Sequence, residues 1–438
     1  KTIITHEQKH DTIMKYVYLL ILICIIGCKN ENKQFNIPSP TNSIYVGDKS
    51  QLADSVYYDK VLGALVGSAI GDAMGASTEM WHRKDIQLSY GYINGLTPAV
   101  REQSPEGTWE HNLLAGATTD DTRWKSLMVH YFKANQNTIN PDNFSQYIIE
   151  YYQNLTKSLA NKDIQTSTDL LDTQIEKIDW IKEWARVAIA YKKDNKDYLE
   201  AQNRFYGGEM SCAGQLYSPM IGLITKSPLE AYQKAYDLSL FDIGYAKDIT
   251  ALVSSMTNMA MRTQELDSIM NAPKFIDPIG YADSRLVGRI PLAILDGTQK
   301  NVRRINDIVF VDSLLLNNNI VFKIPTGYPG TKTDWIRQEM LYQILEKDKR
   351  GIAFHSAEIW QILITGLEFG KGDFEKTMQF IVNYGRDNDT VAAVAGMILG
   401  AKLGYKALPQ ELREKILKVN KENLGIDLEA LAKEMTQQ

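Results

Sequence analysis

Glycine recurs at every fourth position in two stretches of this chain: Gly63, Gly67, Gly71 and Gly75, and again Gly396, Gly400 and Gly404. Positions four apart share one helical face. A glycine inside a helix costs about 1 kcal/mol relative to alanine, so two such stripes require a compensating contact. Close approach of the helix backbone to a packed neighbour supplies it. Stripes of small residues also occur between membrane helices. Here Lys60 and Asp72 leave too short an apolar run to span, and Lys402 breaks the second stripe. The stripes therefore predict tight packing of helices in a water-soluble fold.

The rest of the folded region keeps the same helical period. Apolar spacing predicts helices over 60–78, 122–134, 142–159, 178–193, 228–240, 246–261, 335–345, 357–368, 374–384 and 390–403. Pro141, Pro228 and Pro409 stand at helix starts, where a missing N–H costs nothing. Few runs alternate apolar and polar residues, so the fold class is all-α. The stretch 305–324 fits a strand pair or a helix. Residues 81–117, rich in Gly, Pro, Thr and Ser, read as a long functional loop. No solenoid repeat and no break between domains is visible. The chain has 438 residues and a net charge of -5, without the basic excess of a nucleic-acid-binding protein.

The N-terminus reads as an address. Met14-Lys15 precedes an apolar run over 16–27, then Cys28 and a polar stretch. The run is short for a membrane helix, which needs roughly 20 apolar residues. Ile25-Ile26-Gly27-Cys28 resembles a bacterial lipobox, which implies lipidation of Cys28 and a location at the cell envelope. A plain signal peptide or a short membrane anchor is the alternative. Residues 1–13 lie upstream of a candidate start at Met14. The expected organisation is a signal peptide over 1–28, a flexible tether over 29–56 and a catalytic domain over 57–438. Of the three cysteines, only Cys212 lies in the body of the chain, so no disulfide framework exists.

Two acidic segments stand just ahead of predicted helices: Thr119-Asp120-Asp121-Thr122, and Asp387-Asn388-Asp389-Thr390. Asp and Thr are common helix caps, so either segment alone could serve only that purpose. Together they would gather four carboxylates, which cannot persist unbalanced in a partly buried site. Two divalent ions would balance them. Hard cations such as Mg2+, with Mn2+ as a substitute, take carboxylate and hydroxyl oxygens, and Thr119 and Thr390 supply the hydroxyls. No His-rich or Cys-rich spacing points to zinc.

These segments, with Gly63 through Ala76 and the Glu79 that follows, resemble the ADP-ribosylglycohydrolase family over about residues 60–404. The resemblance implies a compact, orthogonal multi-helix all-α domain of the dinitrogenase reductase-activating glycohydrolase type, with a dinuclear metal cleft. It implies Thr119, Asp120, Asp121, Asp387, Asp389 and Thr390 as metal ligands. It makes Glu79 the candidate acid/base, with Asp121 as the alternative. A carboxylate near the anomeric carbon suits the oxocarbenium-like state of glycosidic cleavage. The chain departs from the family pattern in its central segment, 207–219, and at Arg386 and Asn388 of the third motif. Trp109, His111, Tyr245 and Asp248 are the remaining candidates for substrate contact. Cys212 reads as a small buried residue.

Three functions follow as expectations. One is a Mg2+-dependent hydrolase of an N- or O-glycosidic bond to ADP-ribose or a related ribosyl group. Another is an extracytoplasmic glycosidase of the same fold, acting on a glycan or nucleoside. The last is a binding module that retains the metals without turnover. In each, the partners are a small-molecule or glycosyl ligand and, through the lipid anchor, a membrane; none involves nucleic acid.

Overall fold

The computed structural model describes residues 52–437, apart from 99–113, 137, 161–167 and 310–322. Cys28, Trp109 and His111 lie outside the described residues. Among the described residues there is no strand, only two isolated bridges between extended segments. The expected all-α class is what the chain adopts.

The helices are α1 (Asp54–Gly75), α2 (Arg83–Tyr90), α3 (Asp120–Ala134), α4 (Pro141–Ala160), α5 (Thr168–Lys193) and α6 (Asn195–Arg204). They continue with α7 (Ala213–Ile224), α8 (Pro228–Leu238), α9 (Ala246–Arg262), α10 (Leu266–Phe275), α11 (Ile290–Asn306) and α12 (Lys332–Asp348). The last are α13 (Ser356–Gly370), α14 (Phe374–Tyr384), α15 (Asn388–Leu403), α16 (Gln410–Val419) and α17 (Leu428–Thr436). Helix α1 begins inside the segment expected to be tether.

Helices α1 and α15 form the most extensively packed pair. The two glycine stripes meet there, running antiparallel. A Cβ on Gly67 would lie 2.3 Å from the Gly396 carbonyl oxygen, and one on Gly396 would lie 2.1 Å from that of Gly67. Gly63 and Gly400 face each other in the same way, and a Cβ on Gly71 would lie 2.0 Å from the Ala392 oxygen. Any side chain at these places forces the backbones apart. Contrary to the expectation from Lys60 and Asp72, the stretch Asp54–Thr78 is long and apolar enough to cross a membrane, but its most apolar window is wholly buried in the fold. Burial, rather than length, marks it as a core helix.

Residues 83–90 are helical, not the loop expected there. His82 caps α2 by accepting the Lys84 N–H at Nδ1, and Ile86 is buried. Arg83 ties the helix to α12 through Glu339 and Glu346, each at 2.6 Å. So short a helix is held by tertiary contacts rather than by propensity. A second core element is aromatic. Trp124 of α3 packs against Trp180 and Trp184 of α5 and Tyr217 of α7, at 5.2–5.5 Å between ring centroids.

The glycine contact makes a paired prediction. Gly396→Ala should lower stability by roughly 3 kcal/mol, the cost of overpacking a rigid contact. Gly297→Ala on α11, where a Cβ meets nothing within 4 Å, should raise stability by up to about 1 kcal/mol. Urea unfolding of both variants checks this; shifts of the same sign would refute it.

Candidate active site

Helix α1 carries the first anchor of the site. Asp72 is fully buried, and its carboxylate accepts the Thr119 N–H at 2.9 Å, the Thr122 N–H at 3.0 Å and the Thr122 hydroxyl at 2.6 Å. One side chain thus fixes the whole start of α3. Thr119 caps that helix by accepting the Asp121 N–H. The capping role expected of such a segment is therefore real for Thr119, but its hydroxyl also donates to Asp389 Oδ2 at 3.4 Å. Asp121 is held at both oxygens, by Lys125 Nζ at 3.0 Å and by the Thr390 hydroxyl at 2.9 Å. The two motifs are thereby joined directly.

The second motif is placed by a short backbone pairing. The Arg386 N–H donates to Trp81 O at 2.8 Å, and the Met80 N–H donates to Arg386 O at 2.6 Å. Glu79 is so drawn beside the start of α15. The close fit needs a glycine at 385, where φ is +80° and a Cβ would lie 2.3 Å from Trp81 O. Asp387 occupies the N-cap position of α15 but makes no capping hydrogen bond with its side chain. Its carboxylate lines a cavity instead. The two departures in this motif have structural roles. Arg386 binds Glu358 at 2.6 Å and the Arg350 carbonyl at 3.0 Å. Asn388 Nδ2 donates to Thr78 Oγ1 and Val382 O, both at 2.9 Å.

The cavity has an acidic wall of Glu79, Asp120, Asp387, Asp389 and Thr390. Glu79, Asp387 and Asp389 are buried, and each brings an oxygen within 4.8 Å of the others. Among the described residues Asp389 Oδ1 has no hydrogen-bond partner. Burial first, then the charges of Glu79, Asp387, Asp121 and Asp72, push the Asp389 carboxyl well above its usual range. Burial and the charge of Asp121 push Asp72 up to about 7, against the lowering effect of its hydrogen bonds and of Lys125. An orphaned oxygen in a crowded carboxylate trio suits a divalent cation. Asp120, Asp387, Asp389 and Thr390 line the cavity, and Thr119 and Asp121 are hydrogen-bonded to two of them, Asp389 and Thr390.

The divergent central segment supplies part of the remaining lining. The Cys212 N–H donates to Phe354 O at 2.9 Å, and the Ser356 N–H donates to Met210 O at 2.7 Å. This pairing brings Ser211, Cys212, Ala213 and Leu216 to the cavity with Trp184, Tyr206 and Phe354. Sequence reasoning missed these residues, because nothing in the spacing of 184, 206 and 354 links them. Cys212 is buried as expected, but it also meets the site, with Sγ 3.6 Å from Asp387 Oδ2. Burial and the neighbouring carboxylates push its thiol well up, so it stays protonated.

Two expected substrate contacts lie elsewhere. Asp248 is fully buried and spent on Arg289, at 2.6 and 2.8 Å, and on the Tyr232 hydroxyl at 2.7 Å. It offers no surface to a ligand. Tyr245 is half-buried beside His355, with ring centroids 6.5 Å apart, and does not line the cavity.

The raised carboxyl groups give a pH prediction for the metal-free protein. A folded value near 7 at Asp72, against an unfolded value of about 4, means that the folded state binds more protons across that window. Stability should therefore fall as pH rises from about 4 through 7. Thermal unfolding in EDTA at a series of pH values tests this; a melting temperature that climbs from pH 5 to 8 would count against it.

The ADP-ribosylglycohydrolase family model matches residues 53–438. The uncharacterized protein YegU of Escherichia coli (strain K12) is 23% identical over 375 residues, which cover 86% of this chain and 97% of that protein. A solved structure described as an ADP-ribosylglycohydrolase-related protein complex is similar at a TM-score of 0.49 and 18% identity, covering 87% of this chain and 99% of its own. The family match spans the acidic motifs, the glycine-striped helices and the central segment alike, and the chain belongs to the ADP-ribosylglycohydrolase family.

Proposed function

We propose that this chain is a Mg2+-dependent glycohydrolase that cleaves an N- or O-glycosidic bond to ADP-ribose or a related ribosyl group. Family membership supports the hydrolase class. The observation that carries the finer reading is the buried trio of Glu79, Asp387 and Asp389, with its orphaned Asp389 oxygen. Asp120, Asp387, Asp389 and Thr390 are the residues that would hold the metal, with Thr119 and Asp121 orienting two of them, Asp389 and Thr390, by hydrogen bonds. Bound there, two divalent ions would neutralise the carboxylates, hold ribose hydroxyls and activate water.

The chain's own residues would do the rest. Glu79 is 6% exposed on the cavity wall, where it can take a proton from an attacking water. Both oxygens of Asp121, its alternative, are already committed to Lys125 and Thr390, which favours Glu79 as the acid/base. The lipobox-like segment supports a place at the bacterial cell envelope, a location that suits the alternative reading of an extracytoplasmic glycosidase of the same fold acting on a glycan or nucleoside. Loss of fatty-acid labelling on Cys28→Ala tests the anchor.

The function is tested by assaying release of a ribosyl product from N- and O-linked ADP-ribosyl and ribosyl substrates with Mg2+. Turnover should vanish in EDTA, and chelation should lower the melting temperature, because ligands of the folded state stabilise it. Glu79→Gln should lower kcat by about 10²- to 10⁴-fold with little change in KM. No turnover across the panel would refute the proposal.

A further inference from the structure

We infer that Lys125 is a resident cation of this site, whose ammonium keeps Asp121 out of the metal centre. The trio of Glu79, Asp387 and Asp389 then holds one divalent ion readily. A second ion, which would need Asp121, binds about ten- to hundredfold more weakly, the worth of one hydrogen bond to a charged group. The inference rests on the reading of the acidic wall given above.

Helix α3 places the pair. Asp121 and Lys125 stand four residues apart and share one helical face. Both side chains are 1% exposed, and Lys125 Nζ lies 3.0 Å from Asp121 Oδ1. Among the described residues this is the one hydrogen bond that the Lys125 side chain makes. Lysine is almost never buried so completely unless it is paired. Each charge is therefore the compensation of the other. The charge of Lys125 is also felt beyond its partner: burial and Asp121 raise the Asp72 carboxyl, and Lys125 is among the groups that act against them.

The other oxygen of Asp121 is directed as well. Oδ2 accepts the Thr390 hydroxyl at 2.9 Å. A carboxylate can only accept, so Thr390 gives its proton to this bond and keeps its oxygen lone pairs for an ion. Thr390 lines the cavity, whereas neither Asp121 nor Lys125 is among the described lining residues. Asp121 thus acts as a positioning residue that orients a metal ligand.

A divalent ion drawn to Asp121 meets one of two costs. If it takes Oδ1 from Lys125, it leaves an ammonium buried without its partner, which is strongly disfavoured. If it shares the carboxylate with Lys125, two cations face each other across one anionic group and repel. An ion held by the trio leaves the Lys125–Asp121 pair intact. There Glu79, Asp387 and Asp389 each bring an oxygen within 4.8 Å of the others. A single buried lysine therefore makes the two ion positions unequal.

The test titrates the metal-free full chain with Mn2+, following heat by calorimetry and free ion by electron paramagnetic resonance. Two steps are expected, with dissociation constants about ten- to hundredfold apart. Lys125→Met keeps the length of the side chain and removes its charge; the weak step should tighten by about tenfold or more, with the tight step nearly unchanged. Circular dichroism checks that this variant folds, because it leaves Asp121 without its cation. Asp121→Asn is a second probe that keeps an acceptor for Lys125, and it should leave the tight step in place. Two ions of like affinity in the unaltered chain, or loss of the tight step in Asp121→Asn, overturn this inference and leave the proposed function standing. A folded Lys125→Met whose weak step does not tighten overturns the role of Lys125. No bound Mn2+ at all overturns both this inference and the metal dependence proposed above.

Discussion

Contact between two bare helix backbones sets the geometry on which the site depends. Helices α1 and α15 approach until carbonyl oxygens of one lie where side chains of the other would begin. The last glycine of the first stripe, Gly75, rests on Asp389 itself: a Cβ there would lie 2.4 Å from the Asp389 Cα. The packing that builds the core therefore also sets the depth of the second acidic motif. Helix α1 reaches the other motif as well, because Asp72, three residues before Gly75, holds the start of α3 through Thr119 and Thr122. One helix thus positions both acidic segments, and Glu79 follows directly from its end.

Around this frame, charges are arranged so that most carboxylates have fixed partners. Asp121 has Lys125, Glu358 has Arg386 and Asp248 has Arg289, all in buried or partly buried pairs. Buried pairs of this kind add little net stability, but breaking one leaves a costly lone charge. They hold positions. Glu79, Asp387 and Asp389 instead crowd together in one buried cluster, where burial first and then the neighbouring carboxylates push the Asp389 carboxyl up. A cluster so crowded has a physical reason to bind a cation.

Much of this was legible in local patterns. The glycine period at 63–75 and 396–404 implied close helix packing, and the two Asp-Thr segments at helix starts implied an acidic site. Helices without a clean apolar period were harder to read. Helix α7 carries Pro219 and is buried on nearly all sides, which removes the polar stripe that betrays a helix. Helix α2 is too short to show a period at all. Asp248, a candidate for substrate contact, is instead bound to Arg289, 41 positions away in the chain, a pairing that no local pattern records.

By itself, the sequence determined the helical class, the glycine-lined helices and the residue types of the acidic wall, since each is written within a few consecutive turns. The tertiary structure alone decided that the stripes face each other, that Asp121 bonds to Thr390 of the other acidic motif, and that Trp184, Tyr206, Ser211 and Phe354 share one cavity. Those facts depend on contacts between segments well separated in the chain, as Asp121 and Thr390 are by 269 positions. Side-chain periodicity records which face of a helix is buried, but it does not record against what.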